Sequence, residues 1–254
     1  MIVIENPAER DAVQLSVVIP VFNEVENVLP LLDEVTAALD GRVGYEVIFV
    51  DDGSTDTTAQ VLAPRLTPGS GVRLVRHRNR AGQSAAVRTG VRAAHGGWIA
   101  TLDGDGQNDP ADIPALFAAA RAQPPGAAGA PALVGGLRLT RRDTWSKRLA
   151  SRFANRLRQL LLDDGCTDTG CGIKVFRRDA FLDLPYFAAQ HRFMPALFRA
   201  HGFAVAFVPV NHRPRLRGRS KYTNVGRALV GIVDLAGVFW LQRRTPPSPG
   251  AAEG

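Results

Sequence analysis

With 254 residues and a mass of 27.3 kDa, the chain has room for one large domain or two small ones. Apolar residues at 45% and charged residues at 22% are ordinary globular usage, which excludes disordered and fibrous classes. The formal charge of +7 and an isoelectric point near 10.2 call for a negatively charged partner, and nucleic acid, phosphorylated substrates and an anionic membrane surface all qualify.

The opening residues, Met1-Ile2-Val3-Ile4-Glu5-Asn6-Pro7, lack the basic segment and apolar core of a signal peptide, so a cytosolic chain is expected. Leu15–Val21 reads as a buried strand, followed by a helix over Glu24–Leu39 with apolar residues at Val28, Leu31, Leu32, Val35 and Leu39. Tyr45–Val50 is a second strand and Thr55–Leu66 a helix closed by Pro68-Gly69. A strand at Val72–Val75, a helix at Ala81–Ala94 and a strand at Trp98–Leu102 continue the alternation, which argues for a parallel α/β sheet. Gln123–Pro131 reads as a surface loop, Ala132–Gly135 as a strand, Asp143–Leu162 as a long basic helix, and Gly172–Phe176 and Phe203–Val210 as strands. Residues 1–12 are expected as an extension and 13–223 as one domain, with a nucleotide-binding half (13–110) and an acceptor-binding half (132–223). Residues 224–244 then form an amphipathic helix and 245–254 a disordered tail.

Ala228–Leu241 is the most apolar stretch, yet it contains Asp234 and is flanked by Arg227 and Arg243-Arg244. Its fourteen residues would cover only about 21 Å of a hydrocarbon layer about 30 Å thick, so it does not span. It is either a buried C-terminal helix or an interfacial one with Phe239 and Trp240 at headgroup level.

The charge is concentrated. Arg138 to Arg158 holds eight bases and one acid, Arg213 to Arg227 six bases and no acid, and Arg73 to Arg92 six more bases without an acid. Three such runs set against acidic clusters predict a positively lined site. The acidic clusters, Asp51-Asp52-Gly53-Ser54-Thr55-Asp56 and Asp103-Gly104-Asp105-Gly106-Gln107-Asn108-Asp109, follow strands two and four, where open α/β sheets place their ligand crevice. Carboxylates crowded on one loop repel unless a cation or donor-rich ligand lies between them. Asp103 and Asp105 could offer hard oxygens to Mg²⁺ or Mn²⁺, with phosphate oxygens completing the shell. An EF-hand is excluded, because Asn108 stands at its required glycine and no glutamate closes the loop. No Gly-x-Gly-x-x-Gly follows the first strand, so a dinucleotide fold is unsupported.

Val17-Val-Ile-Pro-Val-Phe-Asn-Glu24, Val50-Asp-Asp-Gly-Ser-Thr-Asp56 and Asp103-Gly-Asp-Gly-Gln107 together resemble family 2 glycosyltransferases of the GT-A fold. The segments Asp168-Thr-Gly-Cys-Gly-Ile-Lys-Val-Phe-Arg-Arg178 and Arg215-x-x-Gly218-x-Ser220-Lys221-Tyr222 are similar to the branch of dolichyl-phosphate mannosyltransferase and bacterial polyprenyl-phosphate glycosyltransferases. The resemblance runs from about residue 15 to 242. It implies a Rossmann-like, mostly parallel sheet flanked by helices, and inverting, metal-dependent transfer of a sugar to a polyprenyl (undecaprenyl or dolichyl) phosphate, giving a β-linked product. UDP-sugars are favoured over GDP-sugars as donors. Pro20, Phe22 and Glu24 would border the nucleoside, Asp52 would hydrogen-bond it, and Gly82 would close over the nucleotide. Asp103, Gly104, Asp105 and Gln107 would hold diphosphate and the Mg²⁺ or Mn²⁺. Asp105, Arg215 and Lys221 would carry catalysis. Arg138, Arg142, Arg148, Arg152 and Ser220 would take the acceptor phosphate. Phe22 stands where the family more often has Tyr.

His77, His95, His191, His201 and His212 show no ligand spacing and read as structural, and Cys166 and Cys171 exclude a disulfide scaffold and a four-cysteine metal site. The expectation is thus an enzyme peripheral to the cytosolic membrane face, attached through its C-terminal helix or a membrane partner protein, with nucleic acid outside its partner set. A family 2 transferase for a glycan or other hydroxyl acceptor, and a basic nucleic-acid-binding module, stand as the alternatives.

Overall fold

The computed structural model describes residues 13–138 apart from 125 and 128, residues 158–211 apart from 160, 163, 167 and 169, residue 213, and helix 224–244, with its side chains from 231 onward. The expected extension, the tail and most of the basic helix lie outside the described residues.

Seven strands form one sheet: β1 (Leu15–Val21), β2 (Tyr45–Asp51), β3 (Val72–Arg76), β4 (Trp98–Thr101), β5 (Pro131–Arg138), β6 (Lys174–Arg177) and β7 (Ala204–Val210). Their spatial order is β3-β2-β1-β4-β6-β5-β7. All neighbours pair parallel except β6, which runs antiparallel to both β4 and β5. The expected mostly parallel sheet is therefore present, with β6 as its one reversed strand among the described residues.

Helices cover both faces. Alternation along β1 sends Leu15, Val17, Ile19 and Val21 to one side, against Leu31, Leu32, Val35 and Leu39 of α1 (Val28–Leu39) and Ile113, Leu116 and Phe117 of α4 (Ile113–Ala120). Val18, Ile48 and Val50 face the other side, against Val87 and Val91 of α3 (Gln83–Ala93) and Phe193, Leu197 and Phe198 of α6 (Gln190–Ala200). Burial on both faces explains why the strands read as continuous apolar runs.

Element boundaries differ from the sequence expectation where side chains compete for the backbone. α1 begins at Val28 rather than Glu24, because Asn23 adopts φ 55° and its Oδ1 accepts from Thr55 N at 2.8 Å, stitching that loop to the next. The second helix shortens to α2 (Thr58–Leu62) and a 3₁₀ turn over Ala63–Arg65, as expected where Pro64 removes a backbone donor. Helices α4, α5 (Arg178–Leu182) and α6 were absent from the sequence expectation.

The C-terminal helix α7 spans Asn224–Arg244, longer than its apolar stretch. Its 21 residues would reach about 31 Å, yet among the described residues no helix is both long and apolar enough to cross a membrane. Leu235, Val238, Phe239 and Leu241 pack on the α6 side of the core, and Gln242 Nε2 donates to Ala196 O at 3.0 Å. Ile232, Val233 and Trp240 stay exposed. The helix is thus neither wholly buried nor free.

Candidate active site

Because six strands run one way, the loops after β1, β2, β3, β4, β5 and β7 gather along one sheet edge. The antiparallel β6 brings its leading residues, Gly170–Lys174, to the same edge. Strand order reverses between β1 and β4, the switch point where such sheets bind ligands.

A cleft of about 170 Å³ opens there, lined by Pro20, Gln83, Val87, Thr101, Leu102, Asp103, Gly170, Cys171, Gly172, Lys174, His191, Arg192 and Met194. Its acidic wall is the loop after β4. Asp103 Oδ1 accepts from Gln83 Nε2 at 2.7 Å, and Asp103 N donates to Asn108 Oδ1 at 3.1 Å. Burial first, and then the Asp105 carboxylate beside it, push the Asp103 carboxyl upward, while Lys174, Gln83 and Arg138 oppose that shift. Asp105 Oδ1 accepts from Gln107 N at 3.1 Å. Gly172 faces this loop so closely that a Cβ there would overlap Asp103 Oδ2 and stand 2.6 Å from Asn108 Oδ1. A side chain at that position would displace the carboxylate.

Two neighbouring carboxylates with hard oxygens suit a divalent ion. Among the described residues no cluster of three His, Cys, Asp or Glu is arranged to hold one alone, so the fit is to an ion shared with ligand oxygens. Asp103 and Asp105 would supply the protein oxygens, and Gln107 lies in the same loop.

Basic residues share this cleft. Lys174 is buried, with its Nζ donating to the Cys171 carbonyl. Arg138, whose charge also acts on Asp103, is bound bidentately to Asp168, with Nε to Oδ2 at 2.5 Å and Nη2 to Oδ1 at 2.6 Å. Asp168 is thus a buried partner that aims Arg138. His191 lines the cleft as well, its Nδ1 2.7 Å from Ser84 Oγ. Burial, and then the charges of Arg192 and Lys174, lower its pKa to about 3, so its imidazole is neutral at physiological pH.

The nucleotide-side residues gather at the same edge in different roles. Pro20 lines the cleft, and Gly104 packs so tightly on β1 that a Cβ would come 2.9 Å from Pro20 O. The Phe22 ring carries the Arg80 guanidinium 4.2 Å above its centroid. Glu24 Oε2 accepts from Asn27 Nδ2 at 2.7 Å. Asp52 directs both oxygens into the neighbouring loop after β3: Oδ1 meets His77 Nδ1 and Ala81 N, and Oδ2 meets Gly82 N, each at 2.8 Å. It thereby fixes Gly82, whose φ of 92° starts α3 in a conformation suited to glycine.

Arg142, Arg148, Arg152, Arg215, Ser220 and Lys221 lie outside the described residues. Arg213, just before the last three, is held at the sheet edge: its Nη2 meets Asp109 Oδ1 at 2.5 Å and its Nη1 Glu34 Oε2 at 2.7 Å. Other basic residues leave the site. Arg73 and Arg76 pair with Glu46 and Asp51, and buried Arg158 pairs with Asp164. Of the three basic runs expected to give a positively lined site, these members are held by carboxylates of the fold.

His77, His95 and His201 are structural as read, bound to Asp52, Glu46 and Leu197 O. His191 is bound to Ser84 and also lines the cleft. Gln83, Gly172, Lys174, His191 and Arg192 were missed as site residues. Lys174 lay inside a recognised motif, whereas His191-Arg192 reach the cleft through tertiary packing and leave no spacing signal.

Comparison with known proteins matches this geometry. Residues 16–184 fit the model described as Glycosyl transferase family 2. The chain belongs to that family. A relative of this family 2 chain, the undecaprenyl-phosphate 4-deoxy-4-formamido-L-arabinose transferase of Edwardsiella ictaluri, is 35% identical over 210 residues, covering 82% of this chain and 62% of that one. The dodecaprenyl-phosphate galacturonate synthase of Rhizobium johnstonii is 34% identical over 242 residues, covering 91% of this chain and 68% of that one. The chain spans less than two thirds of the length of the formamido-arabinose transferases, 62% and 63% for those of Edwardsiella ictaluri and an Enterobacter species. Among solved structures, glucosyl-3-phosphoglycerate synthase from Mycobacterium tuberculosis in complex with Mn²⁺, UDP and phosphoglyceric acid superposes with a TM-score of 0.67 at 22% identity, over 95% of this chain and 82% of that one. That likeness confirms the GT-A fold, with its mostly parallel seven-stranded sheet and flanking helices.

Proposed function

We propose that the chain transfers a sugar from a nucleotide-sugar to a polyprenyl phosphate with inversion of configuration. The observation that carries this reading is the cleft at the switch point of the sheet, where Asp103 shares the lining with Lys174 and Arg192 and feels the charges of Asp105, Lys174 and Arg138. An enzyme joining two phosphate-bearing substrates has to hold one through a shared cation and the other through its own cations. The names of the relatives support a polyprenyl-phosphate acceptor, and the Mn²⁺ and UDP bound by the solved neighbour support a UDP-sugar and a divalent ion.

Asp103 and Asp105 would hold Mg²⁺ or Mn²⁺, which when bound supplies neutralisation of the charge that grows on the departing diphosphate. The loop at Asn79–Gly82, braced by Asp52, closes the nucleotide side. A phosphomonoester has a second pKa of about 6 and is anionic near neutral pH, so it attacks the anomeric carbon without a strong protein base. Positioning and electrostatics do the rest. Backside attack on an α-linked donor gives a β-linked sugar phosphate. Arg215 and Lys221, in the stretch following the anchored Arg213, and Arg142, Arg148, Arg152 and Ser220 complete the acceptor side in this proposal.

The exposed face of α7, with Ile232, Val233 and Trp240 beside Arg243 and Arg244, suits an anionic membrane surface. In this proposal the enzyme works on the cytosolic membrane face, where a lipid phosphate is presented. Incubation with radiolabelled UDP-sugars, Mn²⁺ and undecaprenyl phosphate tests the reading. Label should move into the organic phase, whereas transfer only to water-soluble acceptors would replace it with the glycan-acceptor reading.

A further inference from the structure

We propose that Arg213 is a positioning residue for the acidic loop after β4: it fixes the Gln107 peptide and, through it, the carboxylate of Asp105. The inference rests on the reading of Asp103 and Asp105 as holders of a divalent ion, and adds a residue outside the recognised motifs on which that ion depends.

The path from Arg213 to the carboxylate is short. Arg213 N donates to Gln107 O at 3.1 Å, and Gln107 N donates to Asp105 Oδ1 at 3.1 Å. A single residue therefore links the chain leaving β7 to an oxygen offered to the ion. The side chain of Arg213 holds its own backbone in place. Its Nη2 donates to Asp109 Oδ1 at 2.5 Å and its Nη1 to Glu34 Oε2 of α1 at 2.7 Å. Two residues earlier, Asn211 N donates to Asp112 Oδ2 at 2.8 Å, and Asn211 Nδ2 reaches Asp109 Oδ2 at 3.4 Å. Asp109 also caps the 3₁₀ turn Pro110–Asp112, accepting from Ala111 N at 3.0 Å. The exit of the acidic loop is thus tied to the exit of β7 by backbone and side-chain bonds alike.

This tie does little for folding. The Arg213 and Glu34 side chains are 33% and 44% exposed, and ion pairs so open to water contribute little stability. Its consequence is geometric. From Asp103 to Asp109 the loop has no apolar side chain to pin it, and the Asp105 charge repels Asp103 whenever no cation lies between them. Asn108 closes the loop at its start, where its Oδ1 accepts from Asp103 N, and Arg213 closes it at its end. Carboxylates occupy both arms of the guanidinium, which sets Arg213 apart from a residue awaiting a substrate phosphate. Groups that orient a metal ligand typically change metal affinity tenfold to a hundredfold when removed.

The test uses the full chain with UDP as the probe. Calorimetry with and without Mn²⁺ is combined with amide hydrogen exchange of residues 103–109 in the metal-free protein. Arg213→Ala should weaken Mn²⁺-dependent UDP binding about tenfold to a hundredfold and leave metal-free binding unchanged. It should also speed exchange in the loop, most at Gln107, with a melting temperature close to wild type. Arg213→Lys keeps a cation for Asp109 but lacks the fork that also reaches Glu34. It should recover part of the loss, which a misfolded variant could not do. Unaltered Mn²⁺ dependence in Arg213→Ala, exchange at the wild-type rate, or an equal loss of UDP affinity with and without the ion overturns the proposal. So does a defect confined to the KM for undecaprenyl phosphate, because Arg213 then serves the acceptor. A wild type that binds UDP alike with and without Mn²⁺ sinks the ion reading alone, and the exchange rates still decide whether Arg213 sets the loop.

Discussion

At the scale of single residues, the site depends on close approaches that tolerate little change. Gly172 leaves the space that Asp103 Oδ2 occupies. Gly172→Ala should keep the fold yet weaken Mn²⁺-dependent UDP binding at least tenfold, measured by calorimetry with and without the ion; unchanged affinity would remove Asp103 from the ion-binding role. Arg138 and Asp168 form a buried bidentate pair with side chains 13% and 5% exposed. Arg138→Ala should therefore cost about 3–5 kcal/mol of unfolding free energy, because buried Asp168 loses the guanidinium that answers its charge, and a denaturant titration reads it directly. The expectation for Arg138 named only a phosphate contact. Its partnership with Asp168 was not legible, since the two lie thirty positions apart and the β5–β6 pairing brings them together. Asp52 shows the same limit from the other side: its motif was readable, but its bonds to Ala81 and Gly82 N depend on where α3 starts.

At the scale of elements, apolar periodicity located the strands and α1 because burial on both faces leaves long apolar runs. It missed the short helices α5 and α6, where Pro195 lies within α6 and mean hydropathy is diluted by Gln190, His191 and Arg192. The far end of the sheet carries a stabilising network that the sequence did not announce. Glu46 accepts from Ser16 Oγ at 2.6 Å, His95 N at 2.7 Å and Arg73 Nη1 at 2.9 Å. Burial pushes the Glu46 carboxyl up, but these hydrogen bonds and the Arg73 charge outweigh it, leaving the folded pKa below its ordinary 4.5. A carboxyl depressed on folding contributes stability that is complete above its unfolded pKa and is lost as pH falls through the folded value. The melting temperature of Glu46→Gln should thus fall short of wild type most at pH 6 to 7, an interval above the 4.5 reference, and the gap should narrow in more acidic buffer. A pH-independent gap would contradict the linkage. For α7, Ile232→Glu combined with Trp240→Glu alters side chains 64% and 61% exposed, so the fold should persist. Cosedimentation with phosphatidylglycerol vesicles should drop, whereas unchanged binding would remove α7 from membrane attachment.

At the scale of the whole molecule, the charge that first admitted any anionic partner resolves into structural pairs and the basic residues of one cleft. Arg73, Arg76 and Arg158 are spent on carboxylates within the fold, while Lys174 and Arg192 line the cleft with Asp103. That division suits two phosphate-bearing substrates meeting at the switch point of a GT-A sheet. The fold and the acidic wall were legible because each motif follows a parallel strand. The basic lining was not, because the reversed strand β6 and helix α6 assemble it from residues with no shared local pattern. The most direct test of the account is the anomeric configuration of the lipid product formed from an α-linked UDP-sugar, Mn²⁺ and undecaprenyl phosphate, read by NMR for wild type and Asp105→Ala. A β-linked sugar phosphate, formed at least about a hundredfold more slowly by Asp105→Ala, is predicted. An α-linked product, or equal rates for the two proteins, would contradict it.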